Sequence, residues 1–157
     1  MISEREIRLA IPEDARRIAT MSRDLIEHGL HWRWTPSRIL AAMRDPAINV
    51  AVACERRALA GFGIMQYKDD EAHLLLLAVE PAFRMRGIGA ALVRWLETTA
   101  LTAGTGCIYL EARTRNAGAR AFYRGLGYVE IRTVRGLYAD GEDGVRIARD
   151  LWENPPG

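Results

Sequence analysis

The stretch Leu74-Leu75-Leu76-Leu77-Ala78-Val79-Glu80-Pro81-Ala82-Phe83-Arg84-Met85-Arg86-Gly87-Ile88-Gly89 decides the fold. Residues 74–79 form an apolar strand, Glu80-Pro81 breaks it, and a short basic loop leads into a helix over 88–103. The helix is read from apolar residues at Ile88, Ala91, Leu92, Trp95 and Leu96, whose spacing is that of one helical face. Strand, glycine loop and helix together make a place for phosphate. The first turn of a helix has N–H groups without partners and carries the positive end of the macrodipole. Gly87 and Gly89 let the backbone come close to a pyrophosphate, while Arg84 and Arg86 add fork-shaped donors.

Two common nucleotide loops do not fit. No Gly-Lys-Ser/Thr follows, which excludes the NTPase P-loop. A dinucleotide fingerprint needs a small residue where Leu92 stands, and its loop directly after the strand, without the intervening residues 80–86.

At 157 residues the chain suits one domain, read over 1–152 with a loose tail at 153–157. The hydrophobic content of 49% and charged content of 27% are those of an ordinary globular protein. With 22 basic and 20 acidic residues the net charge is only +2, so no polyanion partner is implied. Lys68 is the only lysine and the arginines are spread from Arg5 to Arg149, without the clustering a nucleic-acid surface needs. Cys54 and Cys107 form neither a metal nor a redox motif, and no metal site is expected. A charged N-terminus and the lack of a long apolar run predict a cytoplasmic chain that crosses no membrane.

Taken in order, a strand at 7–10 precedes a helix opened by Pro12-Glu13-Asp14, and a second helix starts at Thr35-Pro36. Between them lies His28-Gly29-Leu30-His31-Trp32-Arg33-Trp34. Its rings Trp32 and Trp34 either touch a substrate or cap the core between the helices, and His28 and His31 read as packed or solvated. Runs at 49–54, 58–67 and 74–79, joined by charged turns, predict an antiparallel meander. A strand at 107–113 after the helix makes a parallel crossover, and Asn116 caps a further helix. Strands at 128–135 and 145–151 finish the chain.

The motif Arg84-x-x-Gly87-x-Gly89, after a Val-x-Pro strand end, resembles the acyl-CoA pyrophosphate loop of the GCN5-related N-acetyltransferases (GNAT family). A second match is Leu110-Glu111-Ala112-Arg113-Thr114-Arg115-Asn116, then Ala119, Phe122-Tyr123 and Gly125-Leu126-Gly127-Tyr128, similar to the RimI-like branch that acetylates protein N-termini. Ala112 and Tyr128 stand where that pattern has Val and Phe. The resemblance implies an α/β (α+β) fold with a mixed central sheet of about seven strands, a splayed parallel pair and four helices.

It also implies a reaction, transfer of acetyl from acetyl-CoA to a primary amine by direct attack in a ternary complex. By resemblance, the loop of Arg84, Met85, Arg86, Gly87, Ile88, Gly89 and Ala90 holds the pyrophosphate, and the backbone of Leu77 and Val79 pairs with the pantetheine arm. Asn116 and Ala119 flank that arm. The thioester oxygen turns negative during attack and needs a fixed donor, for which the Val79 N–H is the candidate. Glu111 matches the branch's base and Tyr123 the family's general acid. Trp32, Trp34 and Tyr138 are expected near the acceptor. A small-amine acetyltransferase and a non-catalytic acyl-CoA sensor are the alternatives, and oligomeric state is left open.

Overall fold

The computed structural model describes residues 5–155; residues 1–4, with most of the charged N-terminal stretch read above, and 156–157 lie outside the described residues. Seven strands form one sheet: β1 (Arg5–Leu9), β2 (Ile48–Glu55), β3 (Ala58–Lys68), β4 (Glu71–Val79), β5 (Cys107–Arg113), β6 (Val129–Val134) and β7 (Gly144–Asp150). Four α-helices flank it: α1 (Ala15–Met21), α2 (Pro36–Arg44), α3 (Ile88–Thr102) and α4 (Ala117–Gly125). The sheet order is β1-β2-β3-β4-β5-β7-β6, with β4 and β5 parallel and every other neighbouring pair antiparallel. This is the expected mixed sheet with four helices.

Each face of the sheet carries its own core. Ile88, Leu92 and Leu96 of α3 pack on one face together with Tyr123 of α4. Ile18 of α1 and Ile39 of α2 cover the other, over Phe62 and Ile64. The strand β4 serves both cores. Its register against β3 shifts between Ile64 and Met65, which pair with Leu76 and Leu74, so Leu75 is an extra residue. Such a bulge moves the buried side chains from one face to the other and adds bend and twist. Accordingly Ala72 and Leu74 belong to the first core, Leu76 and Ala78 to the second.

The bulge lies where β4 leaves β5. The parallel pairing consists of Glu71 with Cys107, Ala72 with Ile108 and His73 with Tyr109, and ends there. From Leu74 onward the two strands diverge, while β5 stays paired with β7 along its whole length. The expected splay is therefore present, and it begins one residue before the bulge.

A buried ionic cluster ties α3 to the far half of the sheet. Glu97 is fully buried and accepts from the Tyr128 hydroxyl at 2.9 Å, Arg149 at 3.2 Å and Arg94 at 2.8 Å. Arg149 also donates to the carbonyls of Leu126 and Asn154, at 2.7 and 3.1 Å. This anchors Asn154, so the tail read as loose from 153 is held at least that far. Glu97→Ala would leave the buried Arg149 charge without its partner. The expected loss is about 3–5 kcal/mol, seen as a lower urea midpoint with unchanged slope.

Candidate functional site

Where β4 and β5 part, a cleft of about 400 Å³ opens between them. Its floor and walls come from β4 residues 74–79 and β5 residues 110–113, with Arg84 at one end and Tyr123 and Asn116 from the α4 side. The direction of the backbone groups follows from the register. Glu80 donates to the Ala60 carbonyl at 2.8 Å, which makes that pair hydrogen-bonded. Pairing alternates along an antiparallel ladder, so Val79 opposite Gly61 and Leu77 opposite Gly63 form non-hydrogen-bonded pairs. Their N–H and C=O groups therefore point away from β3, into the gap. The Val79 carbonyl accepts from Arg84 Nε at 3.2 Å, and the Val79 N–H stays directed at the cleft.

Beyond the Val79 end lies the mouth of α3. The helix α2 is capped by the Thr35 side chain and α4 by that of Asn116, whereas α3, the longest, starts at Gly87 with no side-chain cap. Its first-turn N–H groups are left for an anion. Gly87 has φ +76°, the left-handed region in which a side chain costs energy, and a Cβ on Gly89 would stand 3.2 Å from the Phe122 ring. Met85 is fully exposed at φ +65°. Arg86 is less free than its place in the loop suggests: it pairs with Glu55 at 3.2 Å, and its carbonyl accepts from Arg5.

On the β5 wall, Glu111 is mostly buried and holds His73 Nε2 at 3.1 Å through Oε1. The His73 ring stacks on Tyr109 at 4.3 Å, and Arg146 of β7 stands 3.9 Å from the other carboxylate oxygen. At that distance no hydrogen bond forms, so Glu111 Oε2 and Arg146 Nε are both buried without a hydrogen-bond partner. Burial alone would push the Glu111 carboxyl up. The hydrogen bond from His73, with the charges of His73 and Arg146, outweighs it and holds the group below the usual carboxylate range. His73 itself faces a separate cavity of about 310 Å³ rimmed by Lys68, Asp69, Asp70 and Glu71.

Tyr123 is 7% exposed, edge-on to Phe122 and Tyr128. Burial pushes its hydroxyl well above the ordinary phenol range, and among the described residues nothing hydrogen-bonds that hydroxyl.

Residues 11–128 match the sequence profile described as the Acetyltransferase (GNAT) family. The chain belongs to the GNAT acetyltransferase family. Over 127 residues it is 38% identical to the [ribosomal protein bS18]-alanine N-acetyltransferase of Escherichia coli (strain K12), covering 78% of this chain and 85% of that one. The crystal structure of the Escherichia coli ribosomal-protein-S18-alanine N-acetyltransferase superposes with a TM-score of 0.76 at 27% identity, covering 94% of each chain. Ard1 from Thermoplasma volcanium gives 0.82 at 26% identity, over 94% of this chain and 97% of the other. As a GNAT protein the chain is an acetyl-CoA-dependent N-acetyltransferase, and the site suits that co-substrate. Outward-facing amides at Leu77 and Val79 match an amide-bearing arm, and the uncapped α3 mouth matches a diphosphate.

Of the residues singled out in the sequence, Leu77, Val79, Arg84, Glu111, Asn116, Ala119, Tyr123 and Tyr138 line one cleft. Arg86 through Ala90 form the turn and helix mouth beyond it. The aromatic pair of the α1–α2 loop is separated. Trp34 lines an adjoining basin, while Trp32 turns inward, donates its indole N–H to the Ala19 carbonyl at 3.2 Å, and lines neither cavity. Tyr138 reaches the cleft because Arg113 lies over its ring at 4.1 Å and pairs with Asp140 and Glu142 of the same loop. Three contributors were not found from sequence: His73, Arg146 and Glu27, the last a buried carboxylate accepting from the Arg33 and Trp34 N–H groups. His73 stood next to a charged turn read as ending at Glu71, although β4 in fact starts there.

Gly89→Leu would crowd Phe122 at the helix mouth. The Kd for coenzyme A, measured by calorimetric titration, should rise about tenfold or more, with the far-UV circular dichroism unchanged. An unaltered Kd would remove the helix mouth from the binding site.

Proposed function

We propose that this enzyme acetylates the α-amine of a peptide or protein N-terminus. The amine attacks acetyl-CoA directly, Glu111 backed by His73 takes up its proton, and Tyr123 protonates the departing thiolate. The observation that carries this reading is the Oε2 of Glu111, buried on the wall of the cleft with no hydrogen-bond partner among the described residues. An unsatisfied buried carboxylate oxygen is costly unless a donor arrives, and an incoming ammonium or a water beside it is such a donor. A carboxylate held below its usual range takes a proton reluctantly. The imidazole hydrogen-bonded behind it holds the carboxylate in place and opens on its other side to the separate cavity beside Lys68.

The acceptor side favours a chain over a small amine. The cleft adjoins an open basin of about 630 Å³, and the two share Glu27, Leu30, Leu75, Leu76 and Tyr138 as walls. An α-amine also needs less help than a lysine side chain, since its pKa lies near 7.7–8.0 against about 10.4. The names of the bacterial relatives, which act on the alanine of ribosomal protein bS18, accord with this. A cytoplasmic setting accords with the unpaired cysteines Cys54 and Cys107 and with the absence, among the described residues, of a helix able to cross a membrane.

A thiol-release assay with N-terminal peptides, lysine peptides and small amines tests the acceptor class, and turnover confined to small amines would overturn the reading. In the same assay Tyr123→Phe should lower kcat about 100-fold while the KM for acetyl-CoA changes less than about twofold. Equal kcat for the two proteins would remove Tyr123 from the chemistry.

The pH dependence follows from the two carriers. Glu111, held low, is ionised throughout the neutral range, and Tyr123, pushed high, stays protonated. The rise of kcat/KM with pH should therefore follow the amine alone, with a midpoint near about 8 and no fall on the alkaline side up to about 9.5. Glu111→Gln should lower the plateau about 100-fold without moving the midpoint.

A further inference from the structure

The basin beside the cleft holds two carboxylates and two arginines that differ in how they are partnered. Its ionisable lining is Glu27, His31, Arg33, Arg38, Asp45 and Tyr138. Both acids are engaged: Glu27 accepts from Ser22 Oγ at 2.7 Å and from the Arg33 and Trp34 N–H groups, and Asp45 accepts from the Ala47 N–H at 2.8 Å. Among the described residues neither guanidinium has a carboxylate partner, whereas the other cavity-lining arginine of the acceptor side, Arg113, holds Asp140 and Glu142. Arg38 is nonetheless fixed. Its guanidinium lies over the Trp34 ring at 3.9 Å, a contact that occupies the face of the group and leaves its edge N–H donors free. Arg38 also sits in the first turn of α2, where no acid is present and where a cation is disfavoured by the helix dipole. A guanidinium held by its stacked ring with its edge donors free, beside a second arginine outside any ion pair and in a basin that shares walls with the reaction cleft, is a receptor for carboxylate.

We infer that Arg33 and Arg38 read an acidic side chain downstream of the acceptor's α-amine, so that the preferred substrates are N-termini carrying Asp or Glu among their first few residues. This rests on the reading of the acceptor as a peptide. The α-amine then enters at the wall shared by Leu30, Leu75, Leu76 and Tyr138, and the following residues lie in the basin, toward the stacked Arg38. Specificity of this kind is electrostatic and weakens with salt.

The test is a set of eight-residue peptides that share an N-terminal residue and carry Asp, Ala or Arg in turn at each of the next four positions, with free aspartate and glutamate as additional acceptors. The ratio of kcat/KM for the best Asp peptide to its Ala counterpart should be about tenfold or more at low salt and shrink at high salt. The double variant R33Q/R38Q should bring the ratio to about one, and R33E/R38E should reverse it in favour of the Arg peptide. Equal use of Asp, Ala and Arg peptides, or an Asp preference that survives in R33E/R38E, overturns the inference and leaves the peptide acceptor standing. Transfer to the free amino acids with none to any peptide overturns both.

Discussion

Backbone hydrogen bonding sets the terms of this structure. Three residues of β4 pair with β5, and then the bulge at Leu75 turns the strand away while its outward amides stay aligned. Elsewhere in a folded sheet, unpaired groups of that kind would be a liability. Here they line a cleft between two strands that are each fixed on their other side, β4 by β3 and β5 by β7. The opening is therefore rigid. It can accept an amide chain without either strand moving, and it brings Glu111 from one strand and the Val79 N–H from the other to the same space.

Electrostatics elsewhere serve that geometry. The chain carries its positive charge almost entirely as arginine, and much of it is spent internally: Arg149 and Arg94 on Glu97, Arg113 on the β6–β7 loop, Arg86 on Glu55 at the end of β2. Planar guanidinium groups suit such work because they satisfy several acceptors at once. The buried Glu97 cluster holds α3 against β7 and the α4–β6 turn, so the helix that starts at Gly87 is locked to the half of the sheet that carries Glu111.

Much of this could be read from the sequence, because it depends on local pattern. The strand, loop and helix around Gly87 and Gly89 announce themselves by periodicity and by the residues that tolerate a left-handed turn. Glu111 and Tyr123 came from a motif whose spacing reflects one strand and one helix. What escaped depends on distant pairing. His73 gained a role only because parallel register sets it beside Tyr109 and hence near Glu111, and Arg146 only because β7 inserts between β5 and β6. Two tryptophans two positions apart looked alike, yet one reaches the basin and the other an α1 carbonyl. Glu97 interrupts an apolar face in a way that the sequence leaves unexplained until Tyr128 and Arg149 are seen around it.

The missing cap of α3 has a thermodynamic corollary. The side chains of Thr35 and Asn116 close the starts of α2 and α4, whereas no side chain closes the start of α3. An anion seated there binds the native chain and not the unfolded one, so it raises the free energy of unfolding in proportion to the logarithm of its concentration. Because α3 runs through the main core, that gain reaches the whole domain and not the loop alone. As the co-substrate of a folded enzyme, acetyl-CoA would by the same mass action make unfolding harder as its concentration rises.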